Sequence, residues 1–179
     1  MTDEQIMLEV SHGDLDMAKI LYKRYSIPIY NFFLRICFNR DISQDLMQNV
    51  FFRIIKYRSS FNQEYKFRSW IYQIARNEYA DYIKKDGAFR SNFVDLEKIN
   101  LQVASRLNDM IKADRIRNLQ RALTKISEDQ REILIMKGYQ KLKNKEIADI
   151  LNCTENTVKG KVHRAIKSLR EAFFKFENQ

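Results

Sequence analysis

Helix breakers are almost missing from this 179-residue chain, which has one proline and four glycines. So little turn punctuation argues against a fold of many short strands and makes long, uninterrupted helices the default. An all-α protein is expected. Cysteine is scarce too. Cys37 and Cys153 lie far apart, show no CxxC or His-rich spacing and sit among apolar neighbours, so they read as buried, inert thiols rather than metal ligands. The two histidines, His12 and His163, have no Cys, His or acid at a spacing suited to catalysis or metal binding; both read as surface or packing residues. No apolar run approaches the roughly 18 residues of a membrane span, and the acidic opening MTDEQIMLEV lacks the basic and apolar regions of a signal peptide. A cytoplasmic protein is expected. Paired carboxylates, nucleophile–base sets and glycine-rich phosphate loops are also wanting, so no enzyme, cofactor, metal or small-molecule substrate is expected.

What the chain has is apolar residues and positive charge. Its hydrophobic content of 45% can support a packed interior. The formal charge is +9, unevenly spread. Residues 51–90 hold nine basic against four acidic residues and 131–179 eleven against six, whereas 1–50 is net acidic and 91–130 nearly neutral. Two basic segments separated by a neutral one suit a polyanion touched at two places; a solvated basic face is the plainer alternative.

Along the chain, Thr2 and Gln5 have the form of a capping box, and Gly13 stops the short helix they open. A second helix carries the apolar stripe Leu15, Ala18, Leu21, Tyr22 and Tyr25. Pro28 opens a third, with Ile29, Phe32, Phe33 and Ile36 at helical spacing. Asp41 with Gln44 marks a fourth start, leading into Leu46, Val50, Phe51, Ile54 and Ile55. The polar segment Asn62, Gln63, Glu64, Tyr65 and Lys66 breaks the period and reads as a loop before the helix FRSWIYQIARNEYADYIKK, residues 67–85. These helices form one bundle. Gly87 ends the last, and periodicity fails through DGAFRSNFVDLEKIN. Val103, Leu107, Met110 and Ile111 begin a new stripe that Ile116, Leu119, Leu123 and Ile126 continue. Two small helical domains, 1–88 and 113–179, joined by a linker over 89–112, are expected.

Ser127 and Gln130 form another capping box, opening a helix with Ile133 and Leu134 facing in. In NKEIADILNCTENTVKGKVHRAIKSLREAF, Ile147, Ala148 and Leu151 give a short helix its buried face. Asn152 takes the left-handed turn, and Thr154 caps a second helix packing through Val158, Val162 and Ile166. Two helices joined so tightly form a helix-turn-helix, whose second member enters the major groove. Glu155, Asn156, Lys159, Lys161 and Arg164 are its exposed polar positions. Amide, carboxylate and lysine groups read base edges, while Lys159 and Arg164 neutralise phosphates.

With these motifs in place, the chain resembles over nearly its whole length a bacterial RNA polymerase sigma factor of the two-domain extracytoplasmic-function group. DLMQNVFFRI resembles the family's segment that grips the polymerase clamp helices, with Phe51 as core support. The resemblance assigns polymerase binding to Asp45, Gln48, Asn49 and Phe52. FRSWIYQIARNEYADYIKK resembles the promoter-melting, minus-ten-reading helix, with Trp70, Ala75, Arg76, Asn77 and Asp81 in matching places. On that helix Trp70, Ile71, Ile74 and Ile83 make a core stripe, so Trp70 reads as a packing residue, and DNA falls to Arg76, Asn77, Ala80 and Lys84. The family captures a flipped base in the loop before this helix, here residues 62–66. The helix-turn-helix resembles the minus-thirty-five reader, which adds Thr157 and Gly160 to the polar positions above. Departures include Ile126-Ser127 for Leu-Pro, Lys143 for a capping Ser, and Asn152 for a turn glycine. Asn156 and Gly160-Lys161 replace the common Gly and Ser-Arg, and so leave the promoter sequence open.

The resemblance implies a non-catalytic initiation subunit whose partners are core RNA polymerase, promoter DNA and an anti-sigma factor, often membrane-anchored. The alternative is a stand-alone helix-turn-helix regulator whose N-terminal bundle senses or dimerises. TENTVK suits either, whereas D-x-x-Q-x-x-F followed by W-x-x-x-I-A-R-N favours the first.

Overall fold

The computed structural model describes residues 1–85 and 108–177, and every regular element among them is helical. The capping box at Thr2 and Gln5 forms in both directions and opens α1, Asp3–His12; Gly13 closes it at φ 111°, a left-handed conformation that glycine adopts without strain. After a 3-10 turn, Leu15–Met17, comes α2, Ala18–Cys37. Here the structure corrects the sequence reading. Pro28 does not open a helix but lies inside one 20-residue helix. A proline there costs about 3 kcal/mol. Leu21, Tyr25, Ile29, Phe32, Phe33 and Ile36 are all buried along the same face, and at about 1.5–3 kcal/mol each they outweigh that cost. Leu15 and Tyr22, expected inside, are exposed.

Helix α3, Arg40–Lys56, is capped by Asn39, whose Oδ1 accepts from the Ile42 backbone N–H at 3.0 Å. Asp41, read as the start signal, sits instead in the first turn, where its charge complements the helix dipole. A 3-10 turn, Arg58–Ser60, and the loop through Lys66 lead to α4, Phe67–Lys85. Phe67, Ile71, Tyr72 and Ala75 bury one side of α4 against the bundle. Trp70 is partly buried, edge-on to Phe61 with ring centroids 5.2 Å apart.

Residues 86–107 lie outside the described residues, and with them the expected helix stop at Gly87, the 89–107 part of the linker, and Val103 and Leu107. The chain resumes at α5, Asn108–Lys125. Ser127 and Gln130 form their capping box and open α6, Glu128–Leu134, which widens into a single π-helical stretch, Ile135–Tyr139. Helix α7, Asn144–Leu151, follows. Lys143 supplies no side-chain cap, but Glu146 accepts from its backbone N–H at 2.7 Å, so one half of a capping box survives. Asn152 takes the expected left-handed turn at φ 48°, and Thr154 Oγ1 accepts from the Thr157 N–H at 3.2 Å at the start of α8, Glu155–Glu177.

Val158 and Ala165 are buried on α8, but Ile166, expected to pack, is 45% exposed. Both cysteines are half-buried rather than fully enclosed, and both histidines are exposed. One continuous cluster of buried apolar side chains runs from Ile6 on α1 to Ala165 on α8. A second, smaller cluster joins Phe38 to Leu123 and Ile126. Among the described residues, no helix is long and apolar enough to cross a membrane.

Candidate nucleic-acid interface

Helix α3 buries Leu46, Met47, Val50 and Ile54, and this fixes what its other side presents. Asp45, Gln48, Asn49 and Phe52 all face outward, with Phe52 66% exposed. A phenylalanine so placed is a candidate contact anchor. Phe51, one residue earlier, turns inward against Tyr22, edge-on with centroids 4.8 Å apart. The strip is thus one polar-rimmed aromatic on a rigid helix.

The loop at 62–66 is fully exposed yet locally ordered by its own chemistry. Asn62 Oδ1 accepts from the Glu64 N–H at 2.9 Å, and the Tyr65 N–H bonds the Asn62 carbonyl at 3.1 Å. This asparagine turn holds Tyr65 outward at 57% exposure, an accessible aromatic surface for a base. The first N–H of α4, that of Phe67, bonds Glu4 Oε1 on α1 at 3.2 Å, and so ties the end of the loop to the bundle.

On α4 itself, Asn77, Ala80 and Lys84 lie exposed. The inward side carries Glu78 and Asp81, both ion-paired to Arg53 of α3, the Asp81 pair at 2.9 Å. These acids are therefore ties between α3 and α4. Arg76 departs from its expected face-mates. Its Nε donates to Glu132 Oε2 on α6 at 3.2 Å. Burial pushes the Glu132 carboxyl up from its ordinary value, while Arg76 and, at longer range, Lys161 pull it back down.

On α8, Glu155, Asn156, Thr157, Lys159 and Arg164 are exposed at or near its N-terminal end, with Gly160 and Lys161 half-buried. The short α7, the left-handed Asn152 and the capped start of α8 together make a helix-turn-helix. At Gly160 an added Cβ would meet nothing closer than Arg164 Nη1 at 4.0 Å, so the glycine is not required by space.

The residues that sequence reasoning missed are those joining the two halves. Gln140, 8% exposed, accepts from the Tyr72 hydroxyl at 2.6 Å and donates through Nε2 to the Pro28 carbonyl at 3.2 Å, while Arg68 donates to its backbone carbonyl. Arg131, 5% exposed, donates to the carbonyls of Leu123 at 2.7 Å and Ile36 at 2.9 Å, with its guanidinium over the Phe38 ring. Arg131 left one trace in the sequence: it lies four residues before Ile135, in phase with a core position. Gln140 left none.

Two family matches cover more than two thirds of the chain: Sigma-70 region 2 over residues 21–89, and Sigma-70, region 4 over residues 116–169. The ECF RNA polymerase sigma factor SigW of Bacillus subtilis is 27% identical over 172 residues, 91% of this chain and 92% of that protein. The ECF RNA polymerase sigma-E factor of Haemophilus influenzae is 25% identical over 174 residues, 92% of each. Among solved structures, the sigma factor RpoE in complex with the anti-sigma factor NepR, from Bartonella quintana, aligns with a TM-score of 0.67 at 25% identity, covering 86% of this chain and 94% of that one. CnrH, in complex with the cytosolic domain of CnrY, aligns at 0.70 and 17% identity over 94% of this chain and 95% of its own, and so shares the fold.

Proposed function

This chain belongs to the sigma-70 family, in its extracytoplasmic-function group, and from that premise we propose how its surfaces divide the work of transcription initiation. A sigma factor binds core RNA polymerase, directs it to promoters and assists opening of the duplex. By family it is an initiation factor and not an enzyme.

The strip Asp45, Gln48, Asn49 and Phe52 docks on polymerase, with Phe52 as its apolar anchor. Asn77, Ala80 and Lys84 on α4, with Arg76 once it is released from Glu132, take the minus-ten DNA. The loop at 62–66 accepts a flipped base, which Tyr65 stacks. The exposed polar face of α8 reads the minus-thirty-five element, Lys159 and Arg164 taking phosphates and Asn156 a base edge. The observation that carries this reading is the arrangement on α3 and α4: adjoining helices, tied by Arg53, turn two different polar faces outward.

The energetics set a limit. Extruding a base costs a few kcal/mol, and stacking returns about 1–3 kcal/mol per base. One loop therefore offsets about one flipped base, and polymerase supplies the rest of the bubble. Run-off transcription with purified core polymerase tests the assignment: promoter-specific product only when this protein is added supports it, and tight operator binding without product supports the stand-alone regulator. By the same resemblance the protein acts in the cytoplasm and is held by an anti-sigma factor, as RpoE is by NepR.

A further inference from the structure

The start of α4 lacks the local chemistry that usually fixes a helix end. Lys66, at the N-cap position, offers no side-chain acceptor, and the first turn of α4 contains no acid. Its second residue, Arg68, even brings positive charge to the positive end of the helix dipole. A helix that begins this way frays unless an acceptor reaches it from elsewhere. The acceptor comes from α1, which precedes residue 21, the first of the region 2 match. Glu4 Oε1 accepts from the Phe67 N–H at 3.2 Å and lies 3.9 Å from Lys66 Nζ.

The surroundings keep that carboxylate in place. Ile6, Met7 and Val10 root α1 in the core. Asp3, beside Glu4, accepts from the Tyr25 hydroxyl at 2.5 Å, and the Tyr25 ring lies edge-on to Phe67 with centroids 5.2 Å apart. At the other end of the 62–66 loop, Phe61 packs on Phe67 and Trp70, with centroids 6.0 and 5.2 Å away. Both ends of the loop thus converge on the first turn of α4. Ring contacts let that turn slide, whereas the directional N–H···O bond to Glu4 fixes where it begins. A free carboxylate so near a DNA-accepting loop would repel phosphate. Here the Glu4 side chain is 23% exposed and faces the helix dipole, and it is Lys66, 73% exposed, that meets solvent.

Resting on the base-accepting role proposed above for this loop, we propose that Glu4 is a positioning residue for minus-ten recognition. It caps α4 from α1 and so sets the loop in which Tyr65 receives the base, without touching DNA itself.

The test uses the full chain. Hydrogen–deuterium exchange read by mass spectrometry reports on the first turn of α4: in Glu4→Ala the segment 62–69 should exchange about fivefold faster, while α1 and α2 keep their wild-type protection. Fluorescence anisotropy then compares two labelled probes, a random-sequence single-stranded 20-mer and a 20-mer of abasic sugars. Phosphate contacts are common to both, so the ratio of their affinities isolates base capture. Glu4→Ala should lower that ratio about two- to fivefold, and Glu4→Gln, which keeps an acceptor oxygen, should stay near the wild type. Tyr65→Ala should lower it too. Adding Glu4→Ala to Tyr65→Ala should lower it no further, as two residues acting on one base require. An unchanged ratio in Glu4→Ala beside a lowered one in Tyr65→Ala overturns the positioning role and leaves the loop's own role standing. Faster exchange spread through α1 and α2 overturns it as well, because Glu4 would then stabilise the bundle alone. A Tyr65→Ala chain that keeps the wild-type ratio removes the base-accepting loop, and the proposal with it.

Discussion

The two halves of this molecule are built from different materials. The N-terminal bundle has an aromatic core, with Phe32, Phe33, Phe67 and Tyr72 all at 1% exposure or less, although Phe52 and Tyr65 stand outside it. The C-terminal half packs mainly aliphatic side chains, such as Ile133, Ile135, Ile147 and Val158, and leaves Ile166 and Phe174 about half exposed. Its deeply buried arginine, Arg131, bonds a carbonyl of the other half. The difference teaches that the two halves meet over a common apolar cluster, to which the first contributes mainly aromatics and the second mainly aliphatics, and that Arg131 adds a polar tie from the second to the first.

The strongest way to break that contrast is a core truncation in the first half. Phe33→Ala should cost about 3–5 kcal/mol, read as a shift of the denaturation midpoint. A matching truncation in the second half, Ile147→Ala, should cost about 2–5 kcal/mol. Next, Arg131→Ala should destabilise by about 1–3 kcal/mol because it strands buried carbonyls. Chemical denaturation should then show the C-terminal transition moving more than the N-terminal one. A uniform shift would mean that the two halves melt as one body.

On the functional surfaces the effects are smaller and separable. Asn77→Ala with Lys84→Ala should weaken promoter-dependent run-off by about tenfold, from about 1–3 kcal/mol of lost DNA contact, while polymerase affinity measured by fluorescence titration stays unchanged. Asp45→Ala with Gln48→Ala should give the opposite pattern, with weaker polymerase binding and no loss of helical signal by circular dichroism. The smallest change expected is a gain. Gly160 sits inside α8 with room for a Cβ, so Gly160→Ala should stabilise the C-terminal half by about 0.5–1 kcal/mol.

What the sequence made legible follows the range of the interactions involved. Both capping boxes, the left-handed Gly13 and Asn152, and the cap at Thr154 are decided within three or four residues, and each was readable. Pro28 misled because its local preference for a helix start is set against a buried stripe longer than the window in which a proline is judged. Ile166 misled for the converse reason: its helical phase is right, but it lines an open apolar groove with Ile116 and Leu119 of α5 and stays 45% exposed. The outward faces of α3 and α8 could be inferred by elimination once their buried sides were known. The Arg76–Glu132 pair, 56 residues apart in sequence, could not. A charged side chain's partner across a fold leaves no period to detect.

The bond from the Phe67 N–H to Glu4 spans 63 residues, and this gives the fold an order in time. At about 5–20 residues per second on the ribosome, α1 exists for several seconds before the start of α4 is made to receive it. Until then its buried side chains Ile6, Met7 and Val10 have only α2 and the two 3-10 turns, Leu15–Met17 and Arg58–Ser60, to lean on. The loop at 62–66 acquires its anchored end last among the parts of the first half, so under the proposed division of work a nascent chain completes the polymerase-facing strip on α3 before the loop proposed for a flipped base is set.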